Sequence, residues 1–467
     1  MLSVSGCRGI VGASLTPITV AGFVGAATSW ARSRGRGGVC VLARDGRRGG
    51  EGIAMLAAGA LAAAGWRVVD LGVATTPTAG VMVRRLGAGM GLVITASHNP
   101  AIWNGLKVLS DEGGAPMPED ARAIIAAYHA GAAQKPGLWM GSFEAGSVER
   151  DDTSARVHVD MVLEKLGALT ALNDVRRRCY KVVLDSVNAS GARAGKMLLE
   201  ALGCRVVHLN DSASGEFPHP PEPVKENLTD LCGKVREHGA HAGFAQDPDA
   251  DRLAMIDERG SYIGEEYTLA LGVRAWLSML GEKGRGVAVA ANLSTSRMVD
   301  DVCAGFGARV VRTAVGEANV VHGMKSAGSV MGGEGNGGVI WREIVPIRDS
   351  LSAMALTLAL MAREDRPLSA CAAAIPAYAI VKRKIDVKPG LSERAVAATA
   401  KHFSAKGASL NDSDGVRADF EVVGGGKAWV HVRASNTEPI IRLIAEAPRV
   451  EQAEKVLDEV GALVASC

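Results

Sequence analysis

Ser97 lies inside Thr95-Ala96-Ser97-His98-Asn99-Pro100. The run before it, Gly91-Leu92-Val93-Ile94, is apolar, and Asn104-Gly105-Leu106-Lys107-Val108 follows. The pattern predicts a buried strand that ends in a sharp polar loop and hands over to a second strand. A serine on such a loop stands where a strand edge opens into a cleft, a common setting for nucleophiles. Asn99-Pro100 enforces the turn, because proline fixes its own φ and restricts the residue before it. An ordinary polar turn would carry the same residues.

Three more stretches hold chemistry. Asp247, Asp249 and Asp251 are spaced by two, and on an extended segment that spacing points all three carboxylates to one side. Carboxylates that close repel one another unless a cation sits between them. Mg²⁺ is the natural candidate, since it takes hard oxygen ligands and is usually shared with a phosphate. An EF-hand fails, because the sixth position of the loop is Arg252 rather than glycine. Zinc is disfavoured by the lack of His or Cys, and a solvated acidic turn is the plain alternative.

Gly332-Gly333-Glu334-Gly335-Asn336-Gly337-Gly338 contains no Gly-Lys-Ser/Thr and so is not a nucleotide P-loop. Glu334 and Asn336 in a flexible glycine loop suit sugar hydroxyls, although a simple glycine-rich turn reads the same way. Arg433-Ala434-Ser435-Asn436-Thr437-Glu438-Pro439, with Arg442, sets two arginines around small donors at a strand end. Arginine binds phosphate bidentately and turn N–H groups add donors; a polar hairpin turn is the alternative. Near the start, the glycines of Ser5-Gly6-Cys7-Arg8-Gly9 permit a tight loop from which Arg8 could address an anion.

Several elements must position these residues. A chain of 467 residues is too long for one core and predicts roughly three or four domains. Apolar content is 48% and net charge is +2, a soluble globular balance that does not favour polyanion binding. The basic run at 32–38 reads as a solvated loop rather than a nucleic-acid patch. The eight cysteines are scattered, which argues against a zinc site or disulfide framework and fits a reducing, cytoplasmic setting. No signal peptide and no membrane span are expected.

Strands and helices alternate at short spacing from residue 19 onward, the mark of an α/β layered architecture. Helices are expected at about 19–31, 53–64, 77–86 and 119–129, with strands at 39–43, 66–71 and 91–94. The strand–loop–helix–strand arrangement recurs at 180–209 and again from 266 to 313, with a strand at 286–290. Residues 217–223 carry four prolines and predict a long rigid loop. From about 375 the texture changes to a small α+β region closed by a helix with its apolar stripe on Val450, Ala453, Val456, Leu457, Val460, Leu463 and Val464. Boundaries are expected at 1–150, 151–256, 257–370 and 371–467.

Taken together and in order, the four stretches resemble the α-D-phosphohexomutase superfamily across essentially the whole chain. The serine stretch is similar to its phosphoserine loop and Asp247-Pro248-Asp249-Ala250-Asp251-Arg252 to its metal loop. Gly333-Glu334-Gly335-Asn336-Gly337-Gly338 is similar to its sugar loop, and residues 433–442 to its phosphate-binding loop. Gly316-Glu317 matches its remaining substrate loop. The resemblance implies three related α/β domains and a C-terminal α+β domain around a central cleft. Pro248 stands where the family commonly has glycine, which stiffens the metal loop; Cys7, Ala43 and Gly49 are smaller departures.

The resemblance also implies a mechanism. Ser97 carries a phosphate when active, and with Asp247, Asp249 and Asp251 it holds Mg²⁺. The phosphate passes to a sugar monophosphate, the bisphosphate turns around, and the other phosphate returns to Ser97. Arg8, His98, Lys107 and Arg252 fall on the family's basic active-site positions. Arg433, Ser435, Asn436, Thr437 and Arg442 would hold the non-reacting phosphate, and Gly316, Glu317, Glu334 and Asn336 would read the sugar. The start of the chain and the sugar loop look most like archaeal-type phosphoglucosamine mutases, with phosphomannomutase/phosphoglucomutase activity as the alternative. A non-catalytic sugar-phosphate-binding homologue is the reading from another class. The implied partners are a phosphorylated hexose or hexosamine and a sugar bisphosphate activator, acting on a monomer or homodimer, without nucleic acid or membrane.

Overall fold

The computed structural model describes residues 2–3, 6–387, 391–422, 425–434 and 440–467. Among these residues the chain forms four sheets, each drawn from a consecutive stretch. Three share one plan. Strands Val39–Arg44, Arg67–Val73, Met90–Ile94 and Trp103–Leu109 make the first set. Lys181–Asp185, Arg205–Leu209, Ala242–Gln246 and Leu253–Asp257 make the second. Ala288–Asn292, Arg309–Thr313, Met331–Glu334 and Gly338–Trp341 make the third. In each set the spatial order is fourth, third, first, second. The first three strands are parallel, and the fourth returns antiparallel beside the third.

This plan places the chemistry. The serine loop, the aspartate loop and the Gly335–Asn336 turn each connect the third strand of a set to its fourth. All three therefore leave the carboxyl end of a parallel strand, the end at which open α/β sheets bind ligands. The strands read as apolar runs because both faces are covered; Met90–Ile94 and Ala242–Gln246 are buried throughout. The first sheet is widened by Leu2–Ser3, Gly6–Ile10 and Val148–Arg150, and Arg8 sits on the strand paired with Trp103–Leu109.

The fourth sheet is antiparallel throughout, in the order Ala379–Asp386, Ile440–Ala447, Lys427–Ala434, Val416–Glu421, Ser409–Asn411. One hydrophobic core joins the first three units, from Val41 to Ile375. The fourth packs on its own core, under Leu391–Ala405 and the closing helix Val450–Ala465. Polar contacts join it to the third unit: Arg417 donates to Leu293 O at 2.7 Å, and Glu446 accepts from Arg297 N at 3.0 Å.

Helix starts follow their side chains. Thr16 caps Pro17–Ser33, Thr75 caps Thr76–Leu86, and Asp349 caps Ser350–Glu364 by accepting from Leu351 N and Ser352 N. The arginines of the basic run are tied down: Arg32 donates to Ala64 O and Leu138 O, Arg34 pairs with Asp120, and Arg36 with Asp111. No helix among the described residues is long and apolar enough to cross a membrane.

Some expectations need correction. Residues 332–338 are a β-hairpin rather than a flexible loop. A Cβ on Gly332 would lie 2.7 Å from Ala290 O and one on Gly333 2.1 Å from Gly338 O, so these glycines serve close packing. The aspartate segment is a turn rather than extended chain: Ala250 N donates to Asp247 O at 2.9 Å and Ala250 has φ +55°. The strand expected at 286–290 runs Ala288–Asn292. Val450 of the closing stripe is exposed, because it lies in the first turn beyond the edge of the core. Leu172–Arg178, Met298–Gly305 and Glu317–Ser326 are helices too short to show a clean apolar stripe, and Ser409–Asn411 and Val416–Glu421 are strands that tertiary pairing defines.

Candidate active site

Ser97 is held from several directions. Its N–H donates to Thr95 Oγ1 at 2.8 Å, and its carbonyl accepts from Arg47 Nη2 at 2.5 Å. Thr95 Oγ1 in turn donates to Asp45 Oδ2 at 2.7 Å, and Arg47 Nε donates to the same carboxylate at 2.8 Å. Arg47 also donates to Trp103 O at 2.7 Å, so one buried guanidinium spans the loop. Under this restraint Ser97 takes φ +50°, a strained conformation for a residue with a Cβ. Its Oγ donates to Asp247 Oδ2 at 3.0 Å, across a gap of 150 residues.

The aspartate turn brings Asp247, Asp249 and Asp251 together, with one ligand atom from each within 4.8 Å of the others. All three are buried, and Asp249 Oδ1 and Asp251 Oδ1 have no hydrogen-bond partner among the described residues. Buried carboxylate oxygens left without donors are costly unless a cation meets them. The donor set is hard oxygen only, which fits a divalent cation of the magnesium type. Burial, followed by the Asp249 and Asp251 charges, pushes the Asp247 carboxyl well above its usual range. Thr76 supports the turn from the first unit, donating through Oγ1 to Asp249 Oδ2 at 2.7 Å and through N–H to Asp249 O at 3.0 Å.

Cations face this cluster. Lys107 Nζ lies 3.5 Å from Asp251, 4.0 Å from Asp249 and 3.9 Å from Glu317. Burial alone would lower its pKa; the three carboxylates outweigh that and raise it. Arg348 donates to Asp251 Oδ2 at 2.5 Å and to Glu334 Oε2 at 2.6 Å, and its Nε lies 3.1 Å from Glu317. Burial raises the Asp251 carboxyl, but Arg348, Lys107 and Arg252 overcome it and hold the group below the usual range. A cavity of about 270 Å³ opens beside these groups, lined by Arg8, Ser97, His98, Lys107, Arg252, Gly316, Glu317, Glu334 and Arg348.

The remaining expected residues fall as follows. Arg8 donates to Asn99 Oδ1 at 3.3 Å and faces the cavity. His98 Nδ1 lies 3.4 Å from Ser97 Oγ; burial, then Arg252 and Arg8, push the imidazole down to about 3. The Arg252 N–H donates to Asp247 Oδ1 at 3.1 Å. Glu334 Oε1 accepts from Asn292 Nδ2 at 2.8 Å and from Gly316 N at 3.2 Å, so its carboxylate is already well satisfied by protein. Asn336 Oδ1 is buried without a partner among the described residues. Arg433 and Arg442 stand directly opposite on paired strands, and Arg433 Nε lies 3.1 Å from Asp414. Ser435, Asn436 and Thr437 lie outside the described residues, as does Ser5.

Family profiles described as phosphoglucomutase/phosphomannomutase α/β/α domains I, II and III match residues 2–135, 157–260 and 265–378. The profile of the C-terminal domain matches 384–463. The chain belongs to the phosphoglucomutase/phosphomannomutase family. This family member is 35% identical over 467 residues to a probable phosphoglucosamine mutase of Methanopyrus kandleri, covering 99% of this chain and 97% of the relative. It is 33% identical to a phosphoglucomutase/phosphomannomutase of Thermococcus kodakarensis, covering 97% and 96%. A crystal structure of a phosphoglucomutase/phosphomannomutase family protein from Burkholderia thailandensis superposes with TM-score 0.82 at 26% identity, covering 100% of this chain and 98% of that one.

Within the candidate site of this phosphoglucomutase/phosphomannomutase family member, the sequence did not point to Arg348, Thr76 or the Asp45–Arg47 pair. Arg348 carried a weak signal, an arginine just before the capping Asp349 of a long helix. Its three carboxylate partners come from two units, and no spacing rule links them.

Proposed function

We propose that this chain interconverts hexose 6-phosphate and hexose 1-phosphate through a phosphoserine at Ser97, with glucosamine phosphate as the preferred substrate. The observation that carries the reading is Ser97 Oγ at 3.0 Å from Asp247, at the head of three buried carboxylates faced by Lys107 and Arg348. A nucleophile beside a cation-ready acidic cluster is the layout of phosphoryl transfer, which depends on positioning and charge stabilisation. Bound at Asp247, Asp249 and Asp251, Mg²⁺ would supply positive charge to the oxygens of the transferring group.

The chain's own residues do the rest. Asp247 aligns the serine hydroxyl, and Thr95 with Arg47 fix its backbone. Lys107 remains an ammonium and presents N–H donors to a phosphoryl oxygen in the cavity. Arg8 and Arg252 add charge from two sides. Glu317, held by Lys107 and Arg348, presents a fixed acceptor to sugar hydroxyls. Arg433 and Arg442 hold the non-reacting phosphate, so the sugar spans the cleft between two anion sites.

The preference for glucosamine phosphate rests on the relative in Methanopyrus kandleri, and the relative in Thermococcus kodakarensis supports glucose or mannose phosphate as the second reading. The test is turnover with Mg²⁺ and a sugar bisphosphate activator, with glucosamine, mannose and glucose phosphates side by side. Preference for glucosamine phosphate is expected. No turnover with any sugar, from protein without phosphate on Ser97, would support a binding protein instead.

A further inference from the structure

The proline-rich segment 213–223 belongs to the second unit and holds none of the reacting groups. It nevertheless lies against the turn of the first unit that fixes Ser97. Gly215 has φ +70°, and a Cβ there would lie 2.3 Å from Gly46 O and 2.4 Å from Arg47 Cα. The two chains therefore meet backbone to backbone, a contact that glycine alone permits. Two residues on, the Phe217 ring covers the Arg47 guanidinium, with 5.4 Å from Cζ to the ring centroid.

The segment is anchored at both ends. His219 Nε2 lies 3.1 Å from Asp185 Oδ2 and Nδ1 lies 2.9 Å from Pro220 O. Both ring nitrogens face acceptors, so the imidazole carries two protons when both bonds form. Asp185 also accepts from Val187 N and Asn210 Nδ2, which ties the anchor to the second sheet. At the far end Glu222 Oε1 lies 3.8 Å from His98 Nε2 and 3.7 Å from Arg252 Nη1. Four prolines between 218 and 223 remove backbone freedom along the way.

We propose that this segment is a strap that positions the nucleophile: Gly215 and Phe217 fix Arg47, and Arg47 fixes the Ser97 backbone. The proposal rests on Ser97 being the nucleophile. Phosphoryl transfer here needs a serine from one unit beside carboxylates from another. Arg47 has every edge engaged, with Asp45 on Nε and carbonyls of the serine loop on both Nη atoms. Only the flat face of its guanidinium is left, and that face is where Phe217 lies. The second unit, which carries the metal loop, thereby sets the register of the serine loop. Phe217 is a positioning residue and does not line the cavity.

The test uses the full chain with Mg²⁺ and compares Phe217→Leu with Phe217→Trp. Leucine keeps apolar cover but has no π face; tryptophan keeps the face. The expected result is a kcat about tenfold lower in Phe217→Leu with KM within about twofold, the pattern of a displaced reacting group. Amide hydrogen exchange in the peptide 95–103 should quicken in the same variant. Phe217→Trp should return both to near the starting values. Unchanged kcat and exchange in Phe217→Leu would overturn the proposal, as would a tryptophan variant equally slow. If the starting protein turns over no sugar phosphate, the mutase reading fails, and the exchange comparison still decides the strap.

Discussion

Arg348 and Asp251 are 97 residues apart in sequence, and their side chains meet at 2.5 Å with both nearly buried. The arginine also binds Glu334 and Glu317, so one fork organises carboxylates from the aspartate turn, the hairpin and the 313–317 segment. Removing it would strand three carboxylates facing each other. Arg348→Leu is therefore expected to lower kcat/KM by about 10² or more and to cost about 3–5 kcal/mol in urea unfolding. Arg348→Lys should not restore activity, since one ammonium cannot span three acceptors. Near-normal turnover in either variant would contradict this account.

Ser97→Ala should lose turnover by about 10³ or more, because the phosphoryl acceptor itself is gone. Intact mass measurement should find the added phosphate on the unsubstituted protein and not on the variant. A variant with full activity would remove Ser97 from the mechanism.

Chelation should abolish activity, and Mg²⁺ should restore it. Asp249→Asn, which leaves one neutral group in the cluster, should weaken Mg²⁺ binding in calorimetry by about tenfold or more. Indifference of both activity and calorimetry to the metal would mean that the orphaned oxygens of Asp249 and Asp251 serve another purpose.

Glu266 lies under the hairpin, where its carboxylate accepts from Ser296 N at 3.0 Å and leaves no room for a Cβ on Gly335. Burial pushes its carboxyl up to about 8. The unfolded chain loses this proton near 4.5 while the folded protein retains it. The folded state then binds the extra proton, so stability falls as pH rises between these values and levels off above 8. Glu266→Gln keeps the acceptor for Ser296 and removes the titration. The variant should show a flatter stability profile from pH 5 to 8 and be more stable at pH 8, on the order of a few kcal/mol. Parallel pH profiles for the two proteins would refute the assignment.

Much of the fold was legible locally. Apolar runs such as Val39-Cys40-Val41-Leu42-Ala43 and Gly91-Leu92-Val93-Ile94 became central parallel strands, because a strand buried on both faces carries such a run. The spacing of the aspartates predicts their convergence but implies the wrong local shape. Their spacing resembles a strand, whereas a turn closed by Ala250 at positive φ brings the carboxylates together. The glycines of the hairpin read as flexible because a sequence does not show which backbone comes close; Gly333 is small to admit Gly338 O.

By itself the sequence determined the candidate residue types and their order: a serine after a buried strand, three aspartates, a glycine-rich turn and paired arginines. Those are local properties, set by propensity, turn chemistry and hydrophobic period. Only the tertiary structure decided that the serine loop, the aspartate turn and the hairpin occupy the same place in three repeated sheets. It alone placed Arg348 among three carboxylates and Arg47 beneath Ser97. The physical reason is that a charge's partners are chosen by packing across units: burial forbids an unpaired ion, and no rule along the chain says which distant residue answers it.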